Sequence, residues 1–234
     1  MTRVAVTFAL RTESSEFLRR LRDRTAIDRN GVRIVRGKMD NHIIEVLHTG
    51  VGEKVCRQWI EKFLRDQNFD RLISTGFAGA LSDELKVGDL LLAKNFSTID
   101  LNESGLPFSR LPIHMADLLT VPALIDSSGE RNRIAHASGA AAVDMETEFI
   151  ARACAEHGVP LLSLRVITDT PRQPFPAPMK VLFDMERQRT DYRQLSSYVL
   201  KNPATLWRLI RFGIGVAHAR KALTEAIVDL VRNL

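Results

Sequence analysis

Three acids stand where a chain of alternating strands and helices could use them for chemistry. Glu13 sits just past the apolar run of residues 4–9 (VAVTFA). Glu146 opens a helix-patterned stretch, and Asp169 closes the apolar run of residues 161–167. A carboxyl group so placed can take a proton from a nucleophile, give one to a leaving group, or accept hydrogen bonds from hydroxyls. Each also has an ordinary structural role open to it. Glu13 and Glu146 would serve as acids at helix starts, where the dipole favours them. Asp169 would serve as a turn or cap residue ahead of Pro171. The histidines lack the His-x-x-x-His spacing of a metal site, so the expected chemistry needs no metal.

The elements that position these acids can be read from periodicity. Phe149 with Ala153, and Ile150 with Cys154, recur at helical spacing from about Asp144, until Gly158 and Pro160 stop the helix. Residues 161–167 then form a nearly unbroken apolar run, as in a strand covered on both faces. In an open α/β sheet the carboxyl ends of such strands face the ligand crevice, and Asp169 lies there. Residues 4–9 read as a first strand, and a helix runs through Phe17, Leu18 and Leu21. Residues 33–36 and 43–48 read as strands joined by a turn. The Gly50-Val51-Gly52 turn then precedes a helix over residues 53–65. This Gly-x-Gly lets backbone approach a ligand, yet it lacks the third glycine of a dinucleotide fingerprint. A strand over 71–74 runs into the small-residue segment Gly76-Phe77-Ala78-Gly79, and Asp89 closes a structural turn. Residues 95–113 read as loop, 119–125 as a strand and 127–129 as a loop, while proline-rich residues 171–178 read as extended.

Composition bounds the function. The 234 residues suffice for one sizeable core. Cys56 and Cys154 both fall in helical patterns and read as core thiols, which fits a reducing, cytoplasmic setting. The apolar stretch before Arg11 is too short for a leader, and no run reaches membrane-spanning length. The net charge of +5 arises entirely from residue 186 onward, where nine Lys/Arg face four Asp/Glu. That placement argues against a nucleic-acid partner and permits peripheral contact with an anionic membrane. Asn202 and Pro203 start a basic C-terminal helix over residues 202–234. Its stripe of Leu206, Ile210, Ile214, Leu223, Ile227, Leu230 and Leu234 is expected to pack on the domain or to lie in a membrane interface.

Three segments carry a resemblance. The stretches VDMETEFIA with LRVITD, ISTGFAGAL with LKVGDLLLA, and the Gly50–Gly52 turn resemble the nucleoside phosphorylase superfamily. The branch they resemble is that of the methylthioadenosine/S-adenosylhomocysteine nucleosidases. The resemblance covers most of residues 1–170. The proline-rich segment and basic tail resemble the hopanoid-associated members, which act on adenosylhopane. It implies a single domain with a three-layer α/β/α sandwich around a central mixed twisted sheet. Residues 171–201 would form a proline-rich segment and connecting helix. It also implies a homodimer and no cofactor, with phosphate as a co-substrate if the reaction is phosphorolytic.

It implies roles as well. Asp169 would protonate the purine, Glu13 would activate water, and Arg165 would hold Glu13 by an ion pair. Glu146 would bind the ribose hydroxyls and Met145 the ribose face. Gly50, Gly76, Phe77 and Ala78 would wrap the sugar, and Leu124 and Ile125 would flank the base. Phe77 replaces the small polar residue common in relatives, which tilts the reading toward water over phosphate as nucleophile, although Arg11 could reach in. The expected activity is therefore a purine nucleosidase acting on a 5′-substituted adenosine. The alternatives are a nucleoside phosphorylase and a silent nucleoside-binding protein.

Overall fold

The computed structural model describes residues 2–98, 112–184, 186, 188 and 190–233. In chain order it begins with β1 (Arg3–Phe8), α1 (Arg11–Arg20), β2 (Arg22–Arg29), β3 (Val32–Met39), β4 (His42–His48) and α2 (Glu53–Leu64). It continues with β5 (Arg71–Ala80), β6 (Leu90–Ala93), β7 (Ile113–Ala116), β8 (Leu118–Thr120) and α3 (Ser128–Ser138). Then follow β9 (Ala142–Asp144), α4 (Thr147–Glu156), β10 (Leu161–Asp169), α5 (Met179–Leu182), α6 (Tyr192–Lys201) and α7 (Ala204–Arg232).

The main sheet has the order β2-β3-β4-β1-β5-β10-β6-β7, and β9 joins β5 with β8 beside it. Its centre is parallel: β1 pairs with β4 and β5, and β10 with β5. All nine residues of β10 are buried, as its nearly unbroken apolar run requires. Alternation along β1 divides the core into two layers. Val4, Val6 and Phe8 join Phe17 of α1 and Leu223, Ile227 and Leu230 of α7 on one face. Ala5 joins Cys56, Ile60 and Phe63 of α2 and Ile150, Ala153 and Cys154 of α4 on the other. This is the expected α/β/α sandwich with a mixed sheet. Both cysteines are free and buried, and burial pushes the Cys154 thiol up to about 12.

Five elements differ from expectation. β2 is almost wholly exposed and polar, so it carries no apolar alternation; charged residues on an edge strand also discourage pairing with another chain. The expected strand over 119–125 stops at Thr120, and the expected loop over 127–129 is the start of α3. Ser127 is its N-cap, accepting from the Glu130 amide, which the Ser-x-x-Glu spacing explains. At the tail, Asn202 closes α6 and Pro203 is the N-cap of α7, one residue later than read. Of the expected loop over 95–113, residues 99–111 lie outside the described residues, and Ile113 begins β7.

Candidate active site

The carboxyl ends of β1, β4, β5 and β10 meet in one region. Glu13, in the first turn of α1, is buried; its Oε2 accepts from the Leu10 amide at 3.0 Å and its Oε1 from the Phe77 amide at 3.3 Å. Gly76 lies directly under this seat: a Cβ there would stand in contact, 3.4 Å, with both Glu13 carboxylate oxygens. Burial pushes the Glu13 carboxyl up, while the two amides and the charge of Arg165 hold it back.

Glu146 is the N-cap residue of α4, and its Oε1 accepts from the Gly52 amide at 2.8 Å. Gly50 (φ 75°) and Gly52 (φ 89°) both occupy the left-handed region, so the turn that offers this amide needs glycine twice. Burial, together with the neighbouring charges of Asp144 and Glu13, raises the Glu146 carboxyl to about 8. Glu13 and Glu146 thus lie close enough to feel each other. Met145, between Asp144 and Glu146, is half-buried.

Arg165 does not pair with Glu13 as expected. Its Nε donates to Asp144 Oδ2 at 3.0 Å, its Nη1 to the Ser74 carbonyl at 2.8 Å, and its Nη2 to Ser74 Oγ and Thr147 Oγ1 at 2.8 and 2.6 Å. Asp144 in turn accepts from the Thr147 amide and hydroxyl and from Thr120 Oγ1. The physical reason is competition. β9 ends in Asp144 beside the guanidinium, whereas the Glu13 carboxylate already has two amides. Arg165 acts on Glu13 and Glu146 only through space.

Asp169 follows a β-bulge: the β5–β10 register shifts between Ile167 and Asp169, which sets Asp169 opposite Gly79. Its carboxylate pairs with Arg131 Nη2 and accepts from Thr168 Oγ1 at 3.1 Å. Arg131, on α3, is only 1 % exposed and also donates to the carbonyls of Ala80 and Ile125 at 2.8 and 3.0 Å. A Cβ at Gly79 would stand 2.9 Å from Asp169 Oδ2 and 3.2 Å from Arg131 Nη1. Burial pushes the Asp169 carboxyl up against the pull of Arg131. Since Glu13 abuts Gly76 and Asp169 abuts Gly79, three residues apart on β5, they are about 10 Å apart along the strand.

Of the remaining candidates, Phe77 is half-buried and contributes its amide. Ala78 is buried, and its carbonyl accepts from Thr168 Oγ1 at 3.4 Å. Leu124 is half-buried. Ile125 is turned into the core with Leu81, Ala140 and Val143, so what it offers Arg131 is a carbonyl, and its side chain is not placed to flank a base.

Besides Asp144, two residues escaped the sequence. Arg131 sits in the run Glu130-Arg131-Asn132-Arg133, indistinguishable from a solvated helix face. Gln188 brackets the Gly50–Gly52 turn: its Oε1 accepts from the Val51 amide at 2.7 Å and its Nε2 donates to the Val51 carbonyl at 3.1 Å. Nothing in the Gln188 neighbourhood marks it at the sequence level.

A cavity of about 930 Å³ lies beside the seats of Glu13 and Glu146, though none of the three acids lines it. Its wall includes Leu10, whose amide holds Glu13, and Gly50, two residues from the amide that holds Glu146. Trp59, Phe183 and Tyr192 give it apolar wall, and its charged lining is Arg11 and Arg193 with Asp184 and Asp191. His48 also lines it, 2.7 Å from Ser14 Oγ, and burial beside Arg11 lowers this imidazole to about 4, so it is neutral at neutral pH.

Among solved structures, a futalosine hydrolase mutant from Helicobacter pylori strain 26695 aligns over all of both chains, with a TM-score of 0.75 at 16% identity. The 5′-methylthioadenosine/S-adenosylhomocysteine nucleosidase of Campylobacter jejuni also aligns over all of both chains, with a TM-score of 0.72 at 18% identity. In sequence, the nucleosidase of the same name from Haemophilus ducreyi is 24% identical over 184 residues, 66% of this chain and 79% of the relative. The family model described as the phosphorylase superfamily matches residues 3–201. With its sheet order, its acid-lined strand ends and a match spanning most of its length, the chain belongs to the phosphorylase superfamily.

Proposed function

We propose that this chain hydrolyses the N-glycosidic bond of a 5′-substituted adenosine to adenine and the 5′-substituted ribose. The observation that carries the reading is the gathering of Glu13, Glu146 and Asp169, all buried, at the carboxyl ends of the central strands. Glu13, whose carboxyl burial makes more basic, takes a proton from water as its oxygen attacks C1′. The C1′–N9 electron pair leaves with the purine, and a protonated Asp169 supplies the proton at N7. Glu146 accepts hydrogen bonds from the ribose hydroxyls. Asp144 and Arg165, locked to each other and to Ser74 and Thr147, fix the floor between them. The cavity beyond Leu10 has room and apolar wall for a 5′ substituent larger than a hydroxyl. The names of the nucleosidase relatives support that choice.

The test is a panel of adenosines carrying hydroxyl, methylthio, homocysteinyl and bulky apolar 5′ groups, incubated with and without phosphate. Free adenine and free 5′-substituted ribose, independent of phosphate, are the expected products. Asp169→Asn should lower kcat by roughly 10²–10⁴-fold. Sugar 1-phosphate would instead establish phosphorolysis, the reading that Arg11 in the cavity wall favours. Tight binding without turnover would leave only a nucleoside-binding protein.

A further inference from the structure

Among the described residues, the exposed large apolar side chains are Met115, Tyr192, Leu200, Leu206, Trp207, Ile210 and Ile214. All but Met115 fall in α6 and the first half of α7. Single exposed apolar residues scattered over a surface are ordinary, but a concentration of this kind marks a contact. Leu206, Ile210 and Ile214 recur every four residues, with Trp207 beside them, so they form one stripe about 12 Å long. The stripe does not continue into the core: only from Ala219 onward does α7 bury its apolar face against the sheet.

The charge carried by the two helices alongside the stripe is of one sign. Residues 192–224 contain Arg193, Lys201, Arg208, Arg211, Arg220 and Lys221 and no acid. Of these, Arg220 is half-buried and the other five are exposed. The nearest acids in sequence are Asp191, occupied as the N-cap of α6, and Glu225, 4.0 Å from Lys221.

We infer that α6 and the first half of α7 form a docking surface for an anionic lipid bilayer. Trp207, Leu206, Ile210 and Ile214 enter the interfacial region, and the flanking cations meet lipid phosphates. Charge selects this occupant. A second copy of the chain, joined by a two-fold axis, would set the same five exposed cations against themselves. A nucleic acid would satisfy the cations and leave the stripe in water. The helix lies on the bilayer and does not cross it, since no described helix is long and apolar enough to span. Tyr192 and Arg193 belong both to this surface and to the wall of the 930 Å³ cavity, so docking brings the cavity beside the membrane. The inference does not depend on which bond the site cleaves.

Flotation of the full chain with phosphatidylglycerol-containing vesicles, against pure phosphatidylcholine vesicles, tests it. The chain should float with the anionic vesicles only and less so as salt rises. The emission of Trp207, isolated by Trp59→Phe, should shift to the blue. The double substitution Ile210→Glu/Ile214→Glu changes exposed positions away from the acids. It should bind such vesicles roughly a hundredfold more weakly while keeping its melting curve and its activity on a water-soluble nucleoside. No flotation at low salt, or undiminished flotation of the double variant, would overturn the inference. So would displacement from vesicles by equimolar single-stranded RNA. A native dimer that ignores vesicles and dissociates in the double variant would overturn it in favour of a second copy.

Discussion

Glu146 carries the sharpest consequence of burial. Its carboxyl titrates near 8 in the folded chain, against about 4.5 in an exposed glutamate, so at neutral pH it is largely protonated. A ribose that donates to its ionised form must draw off that proton. Substrate affinity is therefore expected to strengthen as pH rises toward about 8, and a KM–pH profile reads this directly. Stability moves the other way. A carboxyl raised on folding binds more protons in the native state between those two values, so its contribution is lost as pH rises through that window. Glu146→Gln should flatten the KM profile and raise the melting temperature at pH 8.5 by about 3 °C or more, with little change at pH 5. The three acids were legible because a carboxylate at the end of an apolar run stands out. The partner of Arg165 was not, because Asp144 reads as the start of a helix and is in fact the end of β9. Arg131 left no trace, since only the fold reveals that one charge of a polar run points inward.

Elements decide how those side chains are aimed. The bulge in β10 turns Asp169 toward Gly79, and α3 delivers Arg131 to the same spot. Gly79→Ala would place a methyl carbon inside the contact distance of both partners. Strand geometry survives an alanine, so the expected result is a loss of kcat of roughly 10²-fold or more with a melting point lowered by only a few degrees. Arg131→Gln should lower both, because it takes the guanidinium away from the buried Asp169 carboxyl and from two buried carbonyls. Steady-state kinetics and calorimetry on the pair would separate aiming from holding. Apolar patterning exposed β1, β4 and β10 in the sequence, since each is covered by helices. It could not expose β2, where only Ile27 packs on the core, nor α3, whose outer face is polar throughout.

The molecule as a whole is held by the second half of α7. Leu223, Ile227 and Val231 are fully buried against β1, β10 and α1, while Leu206, Ile210 and Ile214 touch water. Ile227→Ala should cost about 2–5 kcal/mol in chemical unfolding. Ile214→Ala should stay within about 0.5 kcal/mol of the native chain. Sequence periodicity ran one stripe through both halves, because a helix repeats alike whether it meets a sheet or nothing. Only the end of the sheet's reach divides them.

That division makes the tail a keel and a bowsprit carved from one timber. Sawing it off at residue 202 would remove the projecting spar, but it would also open the hull along β1 and β10. A shortened chain that failed to reach a membrane would then say nothing about the spar. Only changes of single exposed side chains ahead of Ala219 can tell attachment from wreckage.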